Sequence, residues 1–575
     1  MTTPATGPPP GRSAWRPGVS HLLLALLAVG LVWRVLRYAV GAPIWGDESF
    51  VAVNLVTLSP DGTIRPRDFL RLIQPLDYGQ IVPLAFMWIE LAVVKALVPL
   101  VGRTAALSEW ALRLVATLAS LAALFLFARF ARHVLPRRPA LLAIGFFAVS
   151  FYIVRHGAEI KPYETDLLVS LGLTMLAWSV WQRPNSASRW AALLLLAAAA
   201  PWLSYPAVFV AGTAALLQIK GISSIIRGSV KLNLSPLFAV VLCGSFAAMY
   251  FIYAGPHAAT AARLVDAWDK TFPPITQPLK LLGWLALIHT GDLFAFPHGG
   301  RSPGSIATFI LFVIGGVRLW RTNRRLLFLL LAPFALAFIA AAFKKYPYGG
   351  ALRVNLYLGP AICLLAGLGL WIVLQALVRG LVRLNLHRGG IWRRPLSWHV
   401  HNALLAACGF FLIFGVGGMV VEVARPYHTK SALASKQAVQ AAARQSSPGA
   451  AWIVFNSDDP QKTWAPYLGD WWGVGGQFVF DAIRVAPGPL YWSPPPETAP
   501  IDPGRELWLL AYRAEHGLSR KKFAFPQTQL DAYVARLTER AGPAEHETRE
   551  IKREPGKLES LETYRFHPAS AGPTR

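Results

Sequence analysis

The sequence predicts a mainly α protein: a polytopic membrane helix bundle of about eleven spans with outer juxtamembrane helices and a small C-terminal extracytoplasmic α/β domain. Three observations predict it. Of the 575 residues 54% are hydrophobic and only 15% charged, too little polar surface to cover a water-soluble globule of this size. Apolar runs of about 20 residues, the length that crosses a bilayer, recur along most of the chain. Between them Arg and Lys cluster in short segments, the pattern of cytoplasmic loops. A formal net charge of +26 would suggest nucleic acid in a soluble protein, but topology accounts for these cations and no nucleic acid is expected. Cys243, Cys363 and Cys408 fall inside apolar runs as small hydrophobes and imply neither a disulfide nor a metal framework.

Taken in order, residues 1–17 hold Arg12 and Arg16 among Pro and Gly and are expected to form a disordered cytoplasmic tail. A transmembrane module, 18–424, follows. Its first run exits near Gly41 and is too long for a cleaved signal, with Arg34 and Arg37 near its outer end. Further runs begin near positions 106, 140, 165, 190, 206, 235, 304, 326, 354 and 402. With the amino terminus inside, basic clusters fall on the cytoplasmic side: Arg129 to Arg138, Arg183 and Arg189, Lys220 with Arg227 and Lys231, Arg318 to Arg325, and Arg379 to Arg394. Ile81–Val101 breaks this register if it spans. With Glu90 and Lys95 inside it, the segment is expected to lie along or dip into the outer surface, a full span being the alternative. The odd span count then puts everything after Val421 outside. Within 425–540, Ala451–Asn456 and Glu506–Tyr512 read as buried strands and Thr528–Leu537 as a helix, which predicts an extracytoplasmic α/β domain. The charged, Pro-containing stretch 541–575 is expected to be loosely ordered.

Candidate chemistry lies in four outer groups whose charges topology does not require. Asp47 and Glu48 follow the first span directly; acids at the hydrocarbon boundary are costly unless hydrated, paired or used, although they could simply complement a helix dipole. Asp77 and Gln80 precede the surface segment, where a turn explains them equally. Glu159, Lys161, Tyr163, Glu164 and Asp166 form a dense polar knot where one span ends and the next begins. Lys344, Lys345, Tyr346 and Arg353 share a short outer loop whose three cations run against the positive-inside rule. A lipid-linked phosphate or anionic headgroups would explain them. Acids near a hydroxyl acceptor can take a proton and cations near a phosphate can stabilise a leaving group.

The order and placement of Asp47-Glu48, Gln80-Ile81-Val82-Pro83-Leu84, Leu112-Arg113-Leu114, Glu159-Ile160-Lys161-Pro162-Tyr163 with Asp166, and Tyr346-Pro347 with Arg353 resemble a family. It is that of the bacterial relatives of dolichyl-phosphate-mannose protein mannosyltransferases, including the lipid A aminoarabinose transferase and the lipopolysaccharide-core transferases of rhizobia. These are integral-membrane glycosyltransferases of the C fold class, and the resemblance runs over roughly Leu22 to Leu374. It implies a polyprenyl-phosphate sugar donor, an inverting displacement on the outer face, and an acid in the first outer loop acting as base. Asp47 matches that acid, with Glu48 as its orienting or substrate-contacting neighbour. The family commonly carries a basic residue or His before Pro-Pro-Leu, where this chain has Gln80-Ile81-Val82-Pro83-Leu84.

The expected function is therefore transfer of a sugar from a polyprenyl-phosphate carrier to a glycan, lipid or protein acceptor outside the cytoplasmic membrane. Asp47 would take the acceptor proton, while Lys344, Lys345, Arg353 and Lys161 would hold the lipid phosphate. The acids could also bind a divalent metal, although no ligand spacing demands one. A transporter or flippase of lipid-linked sugars would place charges deep in several spans. A non-catalytic assembly subunit would leave Asp47 and Glu48 out of any cavity shared with Arg353.

Overall fold

Caps and prolines set the limits of the helices into which the apolar runs fold. The computed structural model describes residues 17–219, 234–257, 268–300, 303–385, 391, 394–455, 475–492, 494, 496, 498–499, 501–516, 527–554 and 557–568. Its first helices are α1 Pro17–Ala39, α2 Gly46–Ala52, α3 Leu84–Ala106, α4 Glu109–Val134, α5 Arg137–Ala148, α6 Phe151–His156, α7 Tyr163–Gln182, α8 Ala187–Leu203 and α9 Ala207–Ile219. Then come α10 Ser235–Met249, α11 Pro278–His289, α12 Pro303–Thr322, α13 Arg324–Ala342, α14 Gly359–Asn385, α15 Leu396–Ala424, α16 Lys430–Gln445, α17 Gly475–Val485 and α18 Gln527–Ala541. The expected tail up to residue 16, and Lys220, Arg227, Lys231, Arg388 and Arg393, lie outside the described residues. α4 shows how an end is fixed. The Ser108 side chain accepts from the Ala111 N–H, Glu109 sits in the first turn, and Arg132 and His133 sit in the last, all complementing the helix dipole.

Among the described residues, eight helices are long and apolar enough to cross a membrane: α1, α3, α4, α10, α12, α13, α14 and α15. Eleven crossings would require α5, α7, α8 and α9 to cross as well and α3 not to. Both ends of α3 are held at the end of the bundle where α1 finishes. Just before it, the carbonyl of Val82 accepts from the Tyr205 and Tyr253 hydroxyls at 3.1 and 2.8 Å. Just after it, Trp110 donates to the carbonyl of Ala39 at 3.2 Å, and the Tyr38 hydroxyl donates to that of Trp110 at 2.8 Å. The residues flanking α3 are thus tied down on both sides, and α3 itself is one of the eight helices long and apolar enough to cross. The basic groups Arg129–Arg138, Arg183, Arg189, Arg318–Arg325, Arg379, Arg383 and Arg394 sit at the opposite helix ends.

Close packing brings distant segments together. A Cβ on Gly315 of α12 would lie 2.0 Å from the carbonyl oxygen of Leu365, and one on Gly369 of α14 would lie 1.9 Å from that of Leu311, so only glycine lets these backbones touch. That contact seats α14 and the turn ahead of it, Leu352–Leu358. Arg37 near the end of α1 pairs with Glu422 near the end of α15 at 2.5 Å, with both side chains buried.

The loop between α2 and α3 carries a hairpin, β1 Val56–Leu58 with β2 Ile64–Pro66. The C-terminal domain has β3 Ala451–Phe455, β4 Leu490–Trp492, β5 Leu507–His516, β6 Ala544–Glu554 and β7 Lys557–Phe566, in the order β4-β3-β5-β7-β6. β3 runs parallel to β4 and β5, and the rest of the sheet is antiparallel. Side chains alternate between two layers. Trp452, Val454, Trp508 and Leu510 share a core with α16, α17, α3 and the first loop, while Ile453, Phe455, Leu507 and Leu509 pack on α18. Where the sequence was expected to be loose from 541 onward, the described residues carry β6 and β7, so the sheet extends past 540. β7 pairs with β5 from Leu507↔Phe566 to His516↔Lys557, burying Leu561, Tyr564 and Phe566, while its charged partner β6 protects the edge. The domain is also fastened to the bundle: Glu109 of α4 meets Lys436 at 2.5 Å and Arg484 at 2.9 Å, and Arg484 meets Asp481 at 3.1 Å.

Candidate active site

Trp45 opens α2 in an extended conformation, and the Glu48 carboxylate accepts from its backbone N–H at 3.4 Å. This single turn sends Asp47 and Glu48 to different partners. Glu48 is wholly buried and takes a bidentate grip from Arg113: Nε to Oε1 at 2.8 Å and Nη2 to Oε2 at 2.6 Å. Arg113 also donates to the carbonyls of Ala42 and Pro43, and Glu48 Oε1 accepts from the Ile160 N–H at 2.9 Å. Glu48 thereby fixes the first loop to α4 and to the segment ahead of α7.

Asp47 is the centre of the cluster. Its Oδ1 accepts from Lys161 Nζ at 2.9 Å and its Oδ2 lies 3.4 Å from Arg353 Nη1. Burial alone would push this carboxyl up, but Lys161 and Arg353 outweigh it and hold it below its usual range. Lys161 is itself pushed down by burial and by Arg353, against the pull of Asp47. Lys161 also donates to Gln80 Oε1 at 3.1 Å, so Gln80 braces the lysine. The Arg353 guanidinium lies over two indoles, 5.8 Å from the ring centre of Trp45 and 5.6 Å from that of Trp268, with 24% of the side chain exposed.

Around this centre, Glu159 accepts from His156 Nδ1 at 2.7 Å, with Arg155 at 3.8 Å. Burial pushes the Glu159 carboxyl up, but His156 and Arg155 hold it well below the carboxylate range. Tyr163 is buried edge-on to His156. Asp166 bonds Ser204, and Tyr346, packed on Phe209, donates to the carbonyl of Val354 at 2.7 Å, steadying the Arg353 turn.

Three expected residues do not join the cluster. Asp77 is held at 2.5 Å by Arg67 and through its backbone by Asn54, a loop staple whose carboxylate side is 43% exposed. Lys344 and Lys345 are exposed where α13 ends; Lys344 turns the chain with φ 55 and sits 3.8 Å from the exposed Asp269. The loop delivers Arg353 alone because its last residues wind into the turn leading to α14 while the lysines stay at the end of α13. Sequence reasoning missed the roles of Arg113, His156 and Trp268. An Arg in the second turn of an apolar helix was the legible signal for the first; His156 stands three residues before Glu159 with no marking pattern, and Trp268 had none. Among the described residues no group of three or more His, Cys, Asp or Glu could hold a metal ion.

No protein-family model and no curated protein matches the chain. Among solved structures, the apo crystal structure of ArnT from Cupriavidus metallidurans, a lipid A aminoarabinose transferase, aligns with a TM-score of 0.50 at 13% identity, covering 97% of this chain and 100% of ArnT. The ArnT structure bound to undecaprenyl phosphate gives 0.49 at 14% identity over 96% and 100%. The oligosaccharyltransferase AglB from Archaeoglobus fulgidus, in complex with an inhibitory peptide and a dolichol-phosphate, gives 0.42 at 14% over 82% and 64%. At these identities the likeness is one of fold: the chain has the membrane-helix architecture of ArnT, with its C-terminal domain included in the match.

Proposed function

We propose that the protein transfers a sugar from a polyprenyl-phosphate donor to an acceptor hydroxyl at the end of the bundle that carries Asp47. The observation that carries this reading is the convergence of Lys161 and Arg353 on Asp47 from segments far apart in sequence. Both cations are already in position to take a donor phosphate, Arg353 as a planar fork and Lys161 as a point charge. A bound phosphate neutralises them and so returns basicity to Asp47 at the moment a proton must be taken. The acceptor oxygen forms a bond to the anomeric carbon as the carbon–phosphate-oxygen bond breaks. The acceptor proton passes to the Asp47 carboxylate, and the polyprenyl phosphate leaves with the electron pair. The work is positioning and electrostatics.

The ArnT-like fold and the charge distribution support the same placement. Buried charged residues of α1, α4, α7 and α15 all lie in the two turns nearest this end, namely Arg34, Arg37, Glu109, Arg113, Glu164, Asp166 and Glu422. A transport path would instead line the spans along their length. With the basic helix ends on the cytoplasmic side, the active site and the C-terminal domain are extracytoplasmic on a multi-pass cytoplasmic membrane protein. The test is reconstituted wild type and Asp47→Asn with synthetic undecaprenyl-phosphate sugars and envelope extracts. Loss of transfer in Asp47→Asn with retained binding of undecaprenyl phosphate is expected; full activity of the variant refutes the assignment.

A further inference from the structure

Trp45 does more than open α2. The ring of His428 stacks on it with centroids 4.2 Å apart and planes only 9° from parallel, and the same indole carries the Arg353 guanidinium. His428 belongs to the five residues, 425–429, that link the last helix of the bundle, α15, to the first helix of the C-terminal domain, α16. The histidine is partly buried and feels the charges of Arg155, Glu159 and Arg37, and its Nδ1 is buried with no hydrogen-bond partner. Burial and the Arg155 charge push it down to about 4, so at neutral pH it presents a neutral ring to the indole. The linker is in turn fixed at both sides, by Arg37–Glu422 before it and by Lys436–Glu109 after it.

We propose that His428 is a positioning residue: by stacking on Trp45 it fixes the indole that orients Arg353, so the linker to the C-terminal domain sets the geometry of the phosphate-binding cation. The proposal rests on the reading that Arg353 holds the donor phosphate. It gives the C-terminal domain a task in donor binding that does not require the domain to touch the donor. Movement of the domain releases one face of Trp45 and with it the guanidinium.

The experiment measures undecaprenyl phosphate binding to the full-length protein in nanodiscs, without turnover, for wild type, His428→Ala, His428→Phe, Arg353→Ala and the double variant His428→Ala/Arg353→Ala. His428→Ala should weaken binding about two- to tenfold, the range for loss of one aromatic stack. His428→Phe, which keeps a flat ring and discards the nitrogens, should restore wild-type binding. In the Arg353→Ala background, His428→Ala should add nothing, because its effect passes through the guanidinium. Unchanged binding in His428→Ala, a Phe variant as weak as the Ala variant, or additive losses in the double variant each overturn the proposal. If Arg353→Ala itself leaves binding unchanged, the phosphate reading falls; if it weakens binding while His428→Ala does not, only the positioning role falls.

Discussion

Replacing Arg353 with Lys keeps the charge beside Asp47 and removes the shape. The wild-type guanidinium spans from a carboxylate oxygen 3.4 Å away to two indoles, and its Nε is buried without a hydrogen-bond partner. It can therefore offer a phosphate a second donor that an ammonium on a shorter, rounder head cannot supply in the same plane. One charge-assisted hydrogen bond is worth about 1.5–3 kcal/mol, or roughly ten- to hundredfold in affinity. Because a quarter of the side chain is exposed, the lower end applies, and Arg353→Lys should raise the dissociation constant for undecaprenyl phosphate by about tenfold. Arg353→Ala should bind still more weakly and adds a second signature. Losing that cation lets the Asp47 carboxyl rise from its depressed position. A base works only when ionised, so activity falls as pH drops through its pKa, and the acid limb of the pH–rate profile should move to higher pH in Arg353→Ala. Titration of the lipid phosphate into protein in nanodiscs, followed by transfer rates between pH 4 and 8, reads both effects. Wild-type affinity in both variants, or an acid limb that stays in place, would refute the reasoning.

Lys344→Ala and Lys345→Ala should each change donor affinity by less than about twofold, because solvent-exposed cations contribute little; a tenfold loss in the same titration would return them to the donor site. Arg113→Leu strands the buried Glu48 and should cost about 3–5 kcal/mol of stability, read as faster thermal inactivation in detergent than for Arg113→Lys. Ending the chain after Ala541 removes β7 from β5, exposing Leu507 and Leu509, so the C-terminal domain should become sensitive to limited proteolysis while full-length protein resists.

The bundle was legible because about 20 apolar residues have few other uses, and the basic helix ends give their register. β3 and β5 were visible as short apolar runs and α18 as a helical period. The β6–β7 hairpin was not, since β6 (Ala544–Glu554) is an edge strand held by backbone pairing and reads as a run of charges. At the site, acids at a membrane boundary marked themselves by their cost, which is why Asp47, Glu48, Glu159 and Asp166 could be found. Charge excess in one loop was a blunter signal: it pointed to Arg353 and equally to Lys344 and Lys345, because composition does not say which residue of a loop winds into the next helix. His156, Trp268 and His428 matter through rings and neighbours that only the packed structure supplies.

The Arg37–Glu422 pair joins the first span to the last, 385 residues later. During synthesis the guanidinium therefore enters the membrane long before its carboxylate exists, and Asp47 waits similarly for Arg353. The charges neutralise in order of translation, Lys161 first, Arg353 next and Glu422 last. A nascent chain carries the Arg37 guanidinium without its directly bonded carboxylate until almost the whole bundle is made, with only the longer-range charge of Glu159 to offset it, which favours holding that end in headgroups or against an insertion factor. A product cut short anywhere ahead of Glu422 keeps that stranded charge whichever later span it lacks. Premature termination at very different points therefore leaves one shared defect in the first helix.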